Sequence, residues 1–292
     1  MRRRPLFCFF VLAYGISWLL WLPSVVLGIP TIVEPDYVPS LWILPGIVLG
    51  TTGATLLMTR ITQGPAGVRR LLKRYTIWRV GPHWFLFAVA GLPVLKVLVG
   101  ALLPGGDGAF RAFLPGSLAL YPAAWLSHLF FGPLWEEAAW RGFALPRLQN
   151  RHGPLLGTLI LGVLWAFWHL PVYLPSGIRQ AGPAAGMAGF GQFVLVAVAM
   201  TFIFTWLFNH TKGSLLLMIL LHASIDGTAT YIHTLAADGI LPASAAAAIE
   251  QGLVIGVIVL ALLLIATTRG RLGYRRYRAE AESGDLNPAE GG

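Results

Sequence analysis

Charge is what this chain of 292 residues has least of: Asp, Glu, Lys and Arg together supply 11% of it, against about 25% in soluble globular domains. With a mean hydropathy of +0.70, that scarcity excludes an ordinary soluble enzyme. The little charge present is lopsided, 21 basic against 12 acidic residues. A basic surplus can signal nucleic acid, but here it sits in short clusters between apolar runs rather than along one polar face. Anionic lipid headgroups are the expected partners, and no nucleic acid is. The one cysteine, Cys8, cannot form an internal disulfide. It stands ahead of an apolar run rather than after one, which argues against a lipoprotein signal. Three protease signatures are also missing: HExxH for the usual zinc site, GxSG for a serine nucleophile and GxGD for an aspartyl dyad.

What the chain has is long apolar runs. A bilayer-spanning helix needs roughly 20 apolar residues, and such runs occur near 6–28, 41–59, 84–104, 118–135, 154–174, 189–208, 214–232 and 252–268. The first is too long and too aromatic for a cleavable signal segment and reads as a retained span. The pattern predicts an all-α polytopic membrane helical bundle of about eight transmembrane helices, with both termini on one side. Lys and Arg favour cytoplasmic segments. With the N-terminus inside, eighteen basic residues lie inside and only Arg111 and Arg179 outside, while Lys96 falls within the third run. Both termini and the loop 60–83 are therefore expected in the cytosol, on a multi-pass protein of the plasma membrane. No loop is long enough for an independent core, and no fixed-period repeat is evident. Residues 269–292 read as a disordered cytoplasmic tail.

Nine acidic residues, Glu250 among them, fall in loops or the tail by this division, whereas Glu136, Glu137 and Asp226 lie in or beside spans, as do His169 and His222. A charge there costs about 3 kcal/mol on insertion scales and is by default a functional hypothesis. Counted at helical rise from the cytoplasmic ends, Glu136 and Asp226 lie roughly 21 Å deep, His222 roughly 15 Å and His169 roughly 28 Å. Helix tilt absorbs such differences, so three spans can bring these groups to one level.

Spacing divides their roles. Glu137 precedes Arg141 by four residues, the favourable order for a helical ion pair, so its own helix neutralises it. Glu136, about 100° around that helix, has no local partner and is placed to accept a proton from water. His222 and Asp226 are also four apart, which puts the carboxylate on the face of its histidine. Structural ion pairing is the stronger reading for Glu137 and Arg141. Four further polar groups would be a costly route to contacts worth about 1 kcal/mol each. His128, eight residues before Glu136, reads as packing. His83, His152, His210 and His233 sit in loops or at span ends and are assigned no role, and the Trp and Phe residues near span ends read as interface anchors.

These residues form three motifs, WEEAAWRGFA (135–144), LWAFWHLP (164–171) and NHTKGSLLLMILLHASID (209–226). In that order and at membrane depth they resemble the EExxxR, FxxxH and HxxxN or HxxxD motifs of the CAAX-processing and bacteriocin-processing family of intramembrane endopeptidases. The likeness covers residues 116–232. Trp165 stands where the family usually has Phe, expected as a packing change. Asp226 can stand where relatives carry Asn, and an ionised carboxylate cannot donate a hydrogen bond as an amide can.

The resemblance implies an eight-helix enzyme that cleaves peptide bonds from a cavity open to the cytosol, acting on a peptide or membrane-protein substrate. It implies Glu136 as the base for water, His169 holding that water, His222 and Asp226 stabilising the oxyanion, and Glu137 and Arg141 supporting the site. The family is usually classed with metalloproteases. Glu136, His169, His222 and Asp226 are the residues that would ligate zinc, although the usual ligand spacing is absent, and Glu-activated water without a metal is the favoured expectation. The organisation expected is three N-terminal helices in 1–115, a catalytic core of helices four to seven in 116–232, an eighth helix in 252–268 and the tail. The alternatives are a catalytically silent scaffold or immunity protein, and a proton-coupled transporter, for which the two-half symmetry of broken helices is missing.

Overall fold

The computed structural model describes residues 1–29, 32–33 and 38–282. It is helical almost throughout. The long elements are α1 (Pro5–Leu27), α2 (Leu41–Thr76) and α3 (Pro82–Ala101), followed by α4 (Tyr121–Phe131) and α5 (Pro133–Glu137). A π-helical turn, Ala138–Ala144, leads into α6 (Leu145–Trp168). Then come α7 (Leu170–His210), α8 (Leu215–Ala237), α9 (Ala243–Thr268) and α10 (Tyr274–Glu282). A two-residue antiparallel ladder, Ile32–Val33 with Val38–Pro39, links α1 to α2.

Sequence punctuation explains the bends. Gly64, Gly153 and Gly182 each take a positive φ inside α2, α6 and α7, and each is followed by proline. Glycine alone adopts that conformation without strain, and proline then starts the next helical segment, where its missing N–H is no loss. The 41 residues of α7 are thus two helices meeting at Gly182.

Among the described residues six helices, α1, α2, α3, α7, α8 and α9, are long and apolar enough to cross a membrane. The protein is a multi-pass integral membrane protein. The expected fourth and fifth spans, 118–135 and 154–174, are helical but do not pass as uninterrupted apolar helices. The first breaks at Gly132, and the second begins among Arg147, Arg151 and the Gly153 bend and stops at Trp168. These are the two stretches that carry Glu136 and His169.

Of the six, α8 is the most enclosed: 78% of its apolar stretch is buried, against 22–44% for the others. Its start is fixed by Ser214, whose hydroxyl accepts from Leu217 N and donates to Ile77 O at 2.7 Å. That cap orients the helix that presents His222 and Asp226. From the other side α1 packs onto the centre through Phe9, Trp18 and Trp21. Trp21 and Trp140 flank Trp168 with ring centroids 4.7 and 5.4 Å away, and Trp18 Nε1 donates to Trp168 O at 2.9 Å.

Two expectations are corrected. Glu250 is not in a loop: α9 starts at Ala243, nine residues before the apolar run, and Glu250 Oε1 pairs with Lys96 Nζ of α3 at 2.7 Å. Lys96 is 1% exposed. The helices meet closely there, since a Cβ on Gly252 would stand 2.4 Å from Lys96 O and one on Gly100 2.6 Å from Ile249 Cα. The tail also differs, because α10 is ordered as far as Glu282. Tyr277, on its apolar face, is buried against Phe208 with centroids 5.2 Å apart, and its hydroxyl accepts from Arg74 Nη2 at 2.9 Å. Residues 283–292 of the expected tail lie outside the described residues.

Candidate active site

The site is built on four pieces of chain: α5 with its π-helical turn, the end of α6, the middle of α7 and the middle of α8. The segment bearing the paired glutamates is anchored before it reaches them. Trp135 O accepts from Thr52 Oγ1 at 2.7 Å, Leu134 O from Tyr75 Oη at 3.2 Å, and Trp135 Nε1 donates to Phe130 O at 2.7 Å across the Gly132 break. The π-helical turn that follows is wider than an α-turn and carries Trp140 and Arg141. Such turns recur at functional sites.

Glu137 and Arg141 are both fully buried, and Glu137 Oε1 accepts from Arg141 Nη1 at 2.8 Å, as the four-residue spacing predicts. The same oxygen also takes His222 Nδ1 at 2.8 Å, a contact that spacing along the chain does not reveal. Glu137 therefore joins α5 to α8 rather than being satisfied by its own helix alone. The Arg141 guanidinium is sandwiched, 4.4 Å from the Trp165 ring centre and 3.9 Å from that of Phe204, a cation over two aromatic faces. Among the described residues its Nε and Nη2 have no hydrogen-bond partner, and Glu137 holds the one charge-assisted bond it makes there.

Glu136, 4% exposed, is held differently. Its Oε2 accepts from Trp140 Nε1 at 3.1 Å and from Trp165 Nε1 at 3.0 Å. Trp165 is thus a hydrogen-bond donor to the candidate base and not a packing substitution, which corrects the expectation. Sequence reasoning missed it because an indole presents a large apolar face and a single N–H whose direction depends on the rotamer. Oε1 of Glu136 makes no hydrogen bond among the described residues and lies on the side of Gly132, where an added Cβ would stand 3.2 Å from it.

His169 caps α6. Its Nδ1 lies 2.9 Å from Trp165 O, and since a carbonyl can only accept, Nδ1 carries the hydrogen and Nε2 is left over. The ring is boxed by Trp168 and Phe193, with centroids 4.7 and 5.2 Å away. His222, 5% exposed, stands edge-on to Trp165 and Phe204 at 5.5 and 5.8 Å. Its Nε2 is 3.5 Å from Asp226 Oδ2, the face-to-face placement expected from the spacing, and the Asp226 side chain is the most open of the group at 37% exposure. His128 pairs with Thr230 at 2.6 Å, one turn beyond Asp226 on α8, in keeping with a packing role.

Glu137 Oε1 and His222 Nδ1 are committed to each other and Glu136 Oε2 to two indoles. Among the described residues no three His, Cys, Asp or Glu side chains are disposed to hold a metal ion. No step below passes through a metal.

The site also has known counterparts. Residues 110–228 match the family model for "Type II CAAX prenyl endopeptidase Rce1-like" proteins. The chain is 24% identical over 226 residues to "CAAX prenyl protease 2" of Methanococcus maripaludis, an alignment covering 75% of this chain and 81% of that protein. The matched segment encloses all three motifs and every residue of the constellation, and over it the chain is similar to the Rce1-like proteins.

Proposed function

We propose that the protein is an intramembrane endopeptidase that hydrolyses a peptide bond of a CAAX-type or other membrane-associated peptide, from a cavity open to the cytosol. The observation that carries this reading is the different treatment of two adjacent carboxylates. Glu137 is committed to Arg141 and His222, whereas Glu136 meets only neutral indole donors at one oxygen. Glu136 is therefore held without being neutralised by a cation, the arrangement a general base needs. Its Oε1 removes a proton from a water that attacks the scissile carbonyl carbon, and His169 Nε2 holds that water. The carbonyl oxygen turns negative as the new bond forms, and a donor aimed at it contributes on the order of 10²- to 10³-fold in rate. His222 supplies that donor through Nε2–H. Glu137 holds the ring at Nδ1, which leaves Nε2 facing Asp226 and the more open side of the site. Collapse of the tetrahedral intermediate expels the amine, which takes the proton from Glu136.

The basic clusters support cytosolic termini, residence in the plasma membrane and contact with anionic headgroups. The purified protein in detergent should cleave a reporter CAAX-type peptide, and Glu136→Gln should abolish turnover at unchanged folded yield. Undiminished turnover by Glu136→Gln removes it as the base. Wild-type protein that binds the peptide without cleaving it is a scaffold instead.

A further inference from the structure

Trp165 touches four of the six candidate residues. Its indole N–H reaches Glu136, its carbonyl accepts from His169, its ring meets His222 edge-on, and Arg141 lies over its face. The bond to Glu136 differs in kind from the one Trp140 makes. Trp140 is four residues from Glu136 on the same segment and moves with it, whereas Trp165 lies 29 residues on, in α6. Two donors from different helices meeting on one oxygen oppose rotation of the carboxylate about its last torsion, which is otherwise broad and nearly two-fold. Oε2 is thereby occupied and Oε1 faces the Gly132 side. One turn later in α6 the Trp165 carbonyl sets the tautomer of His169.

We propose that Trp165 is a positioning residue for the hydrolysis: its indole N–H aims Glu136 Oε1, and its carbonyl aims His169 Nε2, at the same water from one helix end. This rests on the reading of Glu136 as the base. A hydrogen bond to a charged group in a dry site is stronger than a neutral one, and its loss leaves the carboxylate free to turn away from the reacting water.

The test compares purified wild type, Glu136→Gln, Trp165→Phe, and protein in which Trp165 is replaced by β-(3-benzothienyl)alanine, a near-isostere with sulfur in place of N–H. Initial rates are measured against reporter-peptide concentration, with detergent-solubilised melting temperatures alongside. Both Trp165 replacements should lower kcat roughly ten- to a hundredfold, the worth of one hydrogen bond to a charged group, with KM within about twofold of wild type. The benzothienyl protein should melt with wild type, which keeps the test open should Trp165→Phe fold poorly. A benzothienyl protein with wild-type kcat, or one altered only in KM, beside an inactive Glu136→Gln, overturns the proposal while leaving the base assignment standing. Wild-type turnover by Glu136→Gln instead removes the base and the proposal with it.

Discussion

Glu137→Gln separates the part Glu137 plays in holding the bundle together from its part in the chemistry. In the wild type, Glu137 Oε1 is, among the described residues, the one oxygen hydrogen-bonded to a fully buried guanidinium and also fixes His222. Nε and Nη2 of Arg141 already lack partners among the described residues, so neutralising Glu137 leaves a buried cation supported by the Trp165 and Phe204 faces. Breaking a buried pair by removing one partner costs about 3–5 kcal/mol. The amide oxygen of glutamine still accepts from Nη1, so the lower end, about 3 kcal/mol, is expected. An ordinary interhelical polar contact in a membrane is worth about 0.6 kcal/mol, and the two magnitudes are easily told apart by denaturant titration in mixed micelles. The double variant Glu137→Leu/Arg141→Met removes both charges and should regain stability to within about 1 kcal/mol of wild type, because apolar replacement of a whole buried pair is often neutral. Peptide turnover should not return with it, since His222 Nδ1 has lost its acceptor. A cost for Glu137→Gln no greater than about 0.6 kcal/mol would refute the reasoning.

Asp226→Asn should keep much of the turnover, because an amide oxygen can still accept from His222, while Asp226→Ala should lose about two orders of magnitude; rates at matched folded concentration decide. Alanine equal to wild type makes Asp226 structural, and asparagine as inactive as alanine makes a carboxylate obligatory, with metal ligation or proton transfer as its work. Cysteines placed at Arg69 and Arg179 in a Cys8→Ser background should react with a membrane-impermeant reagent from opposite sides. Labelling of both from outside intact cells would sink the cytosolic orientation.

Periodicity-free apolar runs were enough to read the helices, because a lipid-facing helix must satisfy its backbone internally and so announces itself by length and composition. The ion pair at Glu137 and Arg141 and the His222–Asp226 contact were legible for a related reason, since one helical turn fixes both distances. Contacts between helices were not. The Glu137 bond to His222 spans 85 residues and the Lys96 bond to Glu250 spans 154, and spacing along a chain carries no information about either. Gly132 and the π-helical turn also escaped notice: a single glycine in an apolar run does not reveal whether the helix breaks there, and a π-helical turn has no composition of its own. Trp165 was visible as a departure but misread, because its N–H matters only once Glu136 is known to lie beside it.

The Lys96–Glu250 pair bears on how the chain enters the bilayer. Synthesis proceeds from the N-terminus, so α3 meets the membrane with its lysine charged while Glu250 is still to be made. An unneutralised lysine costs up to about 3 kcal/mol to insert, the value at a helix centre, and Lys96, five residues from the end of α3, bears part of that cost. Its partner arrives only with the last long helix, and the glycines at 100 and 252 let the two backbones approach closely once it does. Assembly of this corner is therefore coupled to synthesis of α9: a product truncated before it keeps Lys96 in α3 without its partner.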